Sequence, residues 1–451
     1  MKELSQVDAP VMPGMVRRGW PLWREFGLAQ PKASTPTTDV DHALAKQQII
    51  QEYGQEALQQ SWLKTCAQLE KIKEECARGD THPIPTITMD DIECDRVSPQ
   101  QIVEMKRAGC FVVRNVVDPD ETTALFQELK EYTTRNKGRF HAWPAESPSM
   151  YNLYNTPTQN ALRTNPRQIR LMRWINELWH WSSSNGETSA EPLLYADGLR
   201  VRPAGSPFLG LGPHIDAGSL CRWADPSYRA AYRAIFSGRP EDHDAYDLET
   251  RQDADQTLFP GMAHSSVFRA FQGWTALTKT APREGTILLY PNVSTVIAYV
   301  LLRPFFRAPE DQSLIMDPKA WKFDAEGTWF PGTFKPESQY LSDSSHPHLH
   351  LRDCLLHVPE LQPGDTVWWH TDTCHAVDAE HRGHGDASVA YIAATPTTKK
   401  NSIYMRDQYK SMVTGQPPMD YLAGGVDESP LEGFQGFAAN PEVFKRMMGV
   451  A

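Results

Sequence analysis

His214 and Asp216, one residue apart in the run Pro213-His-Ile-Asp216, and two histidines far downstream, His370 and His375, have the side chains best suited to hold a metal ion. Side chains on an extended strand repeat every second residue, so His214 and Asp216 would share one face. An imidazole from a distant strand would complete three ligands on one side of an ion. Two histidines and a carboxylate with open positions opposite are the set that suits non-heme Fe(II) in oxygenases.

The downstream stretch, Gly364-Asp-Thr-Val-Trp-Trp-His370 continuing to His375, reads as a turn and then an aromatic strand that delivers histidines. His370 closes the Trp-Trp run and reads as a core or supporting residue. His375 falls just past the strand's end, at the mouth of a pocket, and is the preferred third ligand. A His-x-Asp pair by itself carries little weight in a chain with 15 histidines, and His214 alone could be a satisfied surface histidine. It gains weight because it follows the glycine-rich turn Gly210-Leu-Gly-Pro213 and opens a strand. His346, His348, His350, His381 and His384 cluster in the sequence without a strand to carry them. They read as loop residues, with a zinc site as the competing reading.

The chain that must position these groups is 451 residues long, with 40% apolar and 22% charged residues, ordinary for a folded soluble protein. That length allows one enlarged domain or two. A formal charge of −11 argues against a nucleic-acid groove or an anionic membrane surface as partner. No apolar run is long enough to span a bilayer, and the first twenty residues lack the apolar core of a signal peptide. Seven scattered cysteines without a CxxC pair point to a reducing cytoplasm rather than to a disulfide framework.

Residues 1–40 are rich in Pro, Ser and Thr and read as an irregular arm. Helical spacing of apolar residues predicts one long helix over 41–78, stopped by Gly79, packed on its own domain, although it could serve a homodimer. A helix over 98–109 opens on Ser98 with Gln101 three residues on. It is followed by a strand over 111–117 and an amphipathic helix over 118–135. The aromatic residues between 140 and 195 read mostly as core, with a helix over 166–181. From about 193 the pattern changes to short strands: 199–202, 214–220, 265–277, 285–290, 353–358, 365–370 and 388–394. Many short strands with Gly and Pro turns predict a double-sheet jelly roll. The fold class is therefore a mainly β core with helices (α+β), a cupin-like double-stranded β-helix flanked by N-terminal and inserted helices. Its expected parts are an N-terminal arm and helix over 1–90, the barrel over 91–410, and a C-terminal extension over 411–451. A polar insert at 224–261 should form helices outside the barrel, and a second at 307–348 should form loops walling the pocket.

The stretches LRVRPAG, PHIDAGSLCRW, FRAFQGWTAL, EGTILLYP, GDTVWWHTDTCHAV and SVAYIAATP together resemble the phytanoyl-CoA dioxygenase-like group of Fe(II)/2-oxoglutarate oxygenases. The similarity points to an uncharacterised branch known mainly as a domain of unknown function. It implies a jelly-roll barrel, a metal held by His214, Asp216 and His375, and use of 2-oxoglutarate and dioxygen to remove hydrogen from a substrate. In the wider group an arginine about eleven residues after the last histidine binds the far carboxylate of 2-oxoglutarate. This chain has Asp386, Ala387 and Ser388 there, so another cation must serve. Arg202 and Arg269 rank equally, with Arg222 and Arg382 behind, and Trp274 matches a position that borders the co-substrate in relatives.

The expected function is oxidation of a small metabolite, such as an amino acid or related polar acid, by hydroxylation, desaturation or oxidative ring closure. Two alternatives stay open. A barrel without the late arginine could bind a metabolite without turnover. The same three ligands on zinc could activate a water for hydrolysis.

Overall fold

The structure is a computed structural model that describes residues 40–78, 83–144, 148–182, 186–206, 212–261, 263–379, 381–438 and 440–450. The expected arm over 1–39, the stop at Gly79 and part of the turn at 210–213 lie outside these residues.

Two facing sheets form the barrel. The larger has the strand order Thr86–Thr88, Cys110–Arg114, Thr366–His370, Phe271–Ala276, Ala387–Thr397, Leu199–Arg202, Met150–Tyr151, Ala142–Trp143, with Ser189–Leu193 also on Ala387–Thr397. Every pair is antiparallel except the first, which is parallel. The smaller sheet has the order Gln339–Tyr340, His214–Ile215, His375–Val377, Ile287–Leu289, Leu356–His357, all antiparallel. The jelly-roll expectation holds.

Strict alternation sorts the large sheet's side chains. Cys110, Val112, Trp274, Ala276, Val367, Trp369 and Val389 point inward and pack on Ile287 and Leu289 of the small sheet. Phe111, Val113, Phe271, Trp368, Ala390 and Ile392 point outward and pack on Leu171, Met172 and Ile175 of the helix Pro166–Asn176. A one-residue slip would exchange the two faces, so burial on both sides pins the register.

The predicted helix over 98–109 is Pro99–Ala108, with a Ser98–Gln101 capping box and Gly109 left-handed after its last turn. The strand that follows is shorter than expected, Cys110–Arg114, and the next helix is Pro119–Arg135, capped by Asp118. The long N-terminal helix is two helices, Val40–Tyr53 and Gln55–Arg78, because Gly54 between them has φ +83°. A left-handed residue cannot continue a right-handed helix. Gly54→Ala meets no atom within 4 Å, so its cost is purely conformational, about 1 kcal/mol, read as a lower denaturation midpoint.

Trp62 of the second helix is 1% exposed and stacks on Phe306 at 4.5 Å and Tyr299 at 5.3 Å, so these helices belong to the core. They cover the outer face of the small sheet together with Val293–Leu302, a helix the sequence pattern does not reveal. Its residues, VSTVIAYVLL, are apolar nearly all round, and a helix buried on every side has no amphipathic period to read. The 224–261 insert forms short helices as expected, and two of its arginines, Arg229 and Arg251, are buried. The 307–348 insert is mostly irregular, but its Gln339–Tyr340 adds an edge strand beside His214–Ile215. All seven cysteines are free, and no helix among the described residues is long and apolar enough to cross a membrane.

Candidate metal centre

His214 and His375 are direct cross-strand neighbours in the small sheet. Their rings lie 4.2 Å apart between centroids. The strand ends at Ile215, and the chain bends through Ala217 and Gly218, so Asp216 swings its carboxylate between the two imidazoles. Asp216 Oδ1 stands 3.4 Å from His214 Nε2 and Oδ2 stands 3.4 Å from His375 Nε2. One potential ligand atom from each residue lies within 4.8 Å of the others, the only such metal-capable group among the described residues.

The outer ring nitrogens decide how this cluster works. His214 Nδ1 is 2.8 Å from the Gly212 carbonyl and His375 Nδ1 is 3.0 Å from the Thr373 carbonyl. A carbonyl only accepts, so each Nδ1 carries the proton and each Nε2 presents a lone pair. Two lone pairs and a carboxylate then face one another across 3.4 Å, which is repulsive unless a cation stands among them. The donor set and the tautomers therefore fit a divalent metal with nitrogen and oxygen ligands.

The electrostatics agree. Burial alone would push the Asp216 carboxyl up, but His375 and His214 hold it well below the usual carboxylate range. Burial and the neighbouring His214 lower His375. For His214, burial is outweighed by Asp216 and the pKa rises.

His370 is not part of this group. It is fully buried, stacked on Trp179 at 4.8 Å, with Nε2 on the Ala245 carbonyl, and burial lowers its pKa to about 4. His346 and His348 are buried against Ser345 and Tyr299, and His350 pairs with Glu70. None of the three joins a metal-capable cluster among the described residues.

Strand direction separates the candidate arginines. Leu199–Arg202 and Phe271–Ala276 both run antiparallel to Ala387–Thr397, so both start at the same end of the barrel. His370 pairs with Phe271, so the loop into His375 also lies at that end. Arg269, just ahead of Phe271, is therefore at the end where the chain enters His375; Arg202, closing its strand, is at the opposite end. Arg269 is 15% exposed, 3.8 Å from Asp197 and 5.3 Å above the Tyr195 ring. Arg202 pairs with Ala387, at the start of the strand that follows the His375 segment. It donates to the carbonyls of Asp378 and Ala379, and burial, then Arg200, lowers its pKa to about 10.

Arg200 is a residue the sequence reading passed over. Two positions from Arg202 and opposite inward-facing Val389, it shares the inner face, bonds the Gly285 carbonyl, and leaves Nε without a partner among the described residues. The alternation in Leu-Arg-Val-Arg was the available signal. Arg222 is fully buried and donates to the Asp216 main-chain carbonyl, while Arg382 is exposed on a loop. Trp274 is 2% exposed between the sheets, one layer below Gln272 and Trp369, and the Trp369 ring lies 5.2 Å from that of His375.

Residues 38–446 match the family model described as Gig2-like. The uncharacterized protein YbiU of Escherichia coli (strain K12) is 30% identical over 359 residues, covering 76% of this chain and 80% of that protein. Among solved structures, GlcNAc Inducible Gene 2 of Candida albicans superposes with a TM-score of 0.82 at 27% identity, covering 92% of this chain and 90% of that one. A Salmonella typhimurium LT2 protein, provisionally described as an oxidoreductase, does so with a TM-score of 0.78 at 26% identity, covering 94% and 99%. The Candida albicans protein is classed as a domain of unknown function, in keeping with the uncharacterised branch the motifs resemble; these matches do not themselves name the phytanoyl-CoA dioxygenase-like group. Because the match runs through the barrel, its inserts and the helices on both sides, the chain belongs to the Gig2-like family.

Proposed function

We propose that this protein is an Fe(II)- and 2-oxoglutarate-dependent oxygenase of a small metabolite. The observation that carries the reading is the convergence of two Nε2 lone pairs on one carboxylate, with both Nδ1 atoms held by carbonyls. His214, Asp216 and His375 would hold the metal from one side and leave the other side open to exogenous ligands. Iron with 2-oxoglutarate and dioxygen would supply the oxidising power to remove a hydrogen atom from the substrate. The protein's own part is to orient and to exclude water. Trp274, Val367, Ile287 and Leu289 form a dry wall between the sheets.

The two ends of the barrel suit different partners. Arg202 and Arg200, at the end away from the His375 loop, suit the far carboxylate of the co-substrate. Arg269, on the metal side with Tyr195 and Asp197, suits the polar end of a substrate such as an amino acid or related acid. The provisional oxidoreductase description of the Salmonella typhimurium LT2 relative points the same way.

Iron-loaded protein should develop a visible charge-transfer band when 2-oxoglutarate is added without oxygen. A metabolite screen for succinate release should then find the substrate. Zinc as the tightly held metal, with no such band, would favour the hydrolase reading. Arg202→Gln should raise the half-saturating 2-oxoglutarate concentration about tenfold or more, as expected for one lost charge-assisted contact of 1.5–3 kcal/mol. Arg269→Gln should leave that value unchanged and raise the substrate requirement; the reverse pattern would exchange the two roles.

A further inference from the structure

Behind the metal-facing side chains lies a second polar cluster, drawn from three distant parts of the chain. Arg222 sits in the short helix Cys221–Ala224, Arg251 ends the insert helix Leu248–Arg251, and Asp372 lies in the loop between Thr366–His370 and His375–Val377. Arg251 Nη2 donates to Asp372 Oδ1 at 2.9 Å, and Arg222 Nη2 stands 3.5 Å from the same oxygen. The Tyr232 hydroxyl donates to Asp372 Oδ2 at 3.0 Å. Arg251 also donates to the hydroxyls of Tyr232 at 2.6 Å and Tyr228 at 2.9 Å, with its guanidinium 4.2 Å over the Tyr228 ring. Arg222 reaches the other way, donating from Nη2 to the main-chain carbonyl of Asp216 at 2.7 Å. It is 0% exposed, and its Nε and Nη1 have no partner among the described residues.

Two guanidiniums on one carboxylate leave a positive charge in excess beside a place suited to a divalent cation. Coulomb repulsion makes that unfavourable for metal binding, so charge does not explain the arrangement. Geometry does. Ala217 and Gly218, between Asp216 and Arg222, hold φ values of 58° and 60°. Alanine is strained there, and a Cβ on Gly218 would stand 2.7 Å from the Tyr228 ring. The bend that aims Asp216 at the histidines thus carries the strain of Ala217, while Gly218 adopts it freely and leaves room for Tyr228 of the cluster to pack directly against it.

We propose that Arg222 is a positioning residue that ties the loop bearing Asp216 to the loop leading into His375, through Asp372, so that the three ligand atoms converge before any metal arrives. The inference rests on the reading of His214, Asp216 and His375 as a metal site, and it gives the 224–261 insert a role: Arg251 and Tyr232 anchor Asp372, and Tyr228 holds Arg251.

Arg222→Met keeps most of the side chain's length and leaves Arg251 and Asp372 as a balanced pair, so the variant should fold. Binding of Co(II), followed by calorimetry and by the ion's visible spectrum, is the test. Affinity should fall about ten- to a hundred-fold, the range seen when groups that orient metal ligands are removed, and the spectrum should change shape. Arg222→Lys, still able to donate to the Asp216 carbonyl, should recover part of both. A residue acting through charge alone gives the opposite sign, tighter Co(II) binding in Arg222→Met. Unchanged or tighter binding in a folded Arg222→Met overturns the proposal. If that variant does not fold, Arg222→Gln takes its place with the same expected fall. Wild-type protein that binds Co(II) at this site but never turns over 2-oxoglutarate would sink the proposed activity and leave this inference standing. Wild-type protein that binds no Co(II) would sink both.

Discussion

Asp216→Ala abolishes tight divalent-metal binding, and with it 2-oxoglutarate turnover, while the metal-free protein keeps its fold. Asp216 alone offers an anionic ligand, and it sits between the two imidazoles at 3.4 Å from each. Removing a group that merely orients a ligand costs ten- to a hundred-fold in affinity, so removing the anionic ligand should exceed about a thousand-fold, roughly 4 kcal/mol. The fold should survive because the carboxylate is 24% exposed and, among the described residues, touches only His214, His375 and Ser338. The readout is thermal: at metal a hundred times its Kd, wild type gains about 2.7 kcal/mol, and the variant gains none. His375→Ala should behave alike. A variant that still gains metal-dependent stability would place the ion elsewhere.

Asp372→Ala should be the most destabilising substitution in the polar interior, by about 3–5 kcal/mol, because it strands two buried guanidiniums. Both Arg222 and Arg251 lie behind the cluster of His214, Asp216 and His375, with Asp372 as their shared counter-ion. Chemical denaturation measures the effect, and Arg222→Met is the internal contrast, since it leaves a one-to-one pair. The same residue sets an acid limit. Burial would raise the Asp372 carboxyl, but Arg251 and Arg222 bring it down to about 2 from 3.8. A depressed carboxylate stabilises the fold fully above its unfolded pKa, near 4, and that contribution, roughly 2–3 kcal/mol, is lost as the pH falls through about 2. The acid dependence should therefore flatten in Asp372→Asn; an unchanged acid limb would assign it to other carboxylates.

These two residues show what could and could not be read in advance. Asp216 was legible from its spacing, two residues after His214, although the strand ends at Ile215 and the bend at Ala217 and Gly218 completes the approach of its carboxylate to the imidazoles. His375 was legible from a turn and strand ahead of it, although choosing it over His370 needed the idea of a pocket mouth. Asp372 had no such signal. It lies 121 residues from Arg251, and nothing periodic links them. Arg200 lay between these cases: the alternation was present, but only the pairing of Arg200 with Val389 and of Arg202 with Ala387 shows which face points inward.

Local pieces were legible in the residues alone: the Ser98–Gln101 cap, the many short strands with Gly and Pro turns of a jelly roll, and the His-x-Asp pair with a later histidine. Those follow from forces acting over a few residues, such as backbone hydrogen bonding, capping and side-chain direction. Three-dimensional packing was needed to show which arginine lies at which end of the barrel, that Gly54 divides the first helix, and that Arg251 of an insert meets Asp372 beside His375. Such outcomes depend on strand direction and on buried charges finding counter-ions across long loops, which only packing settles.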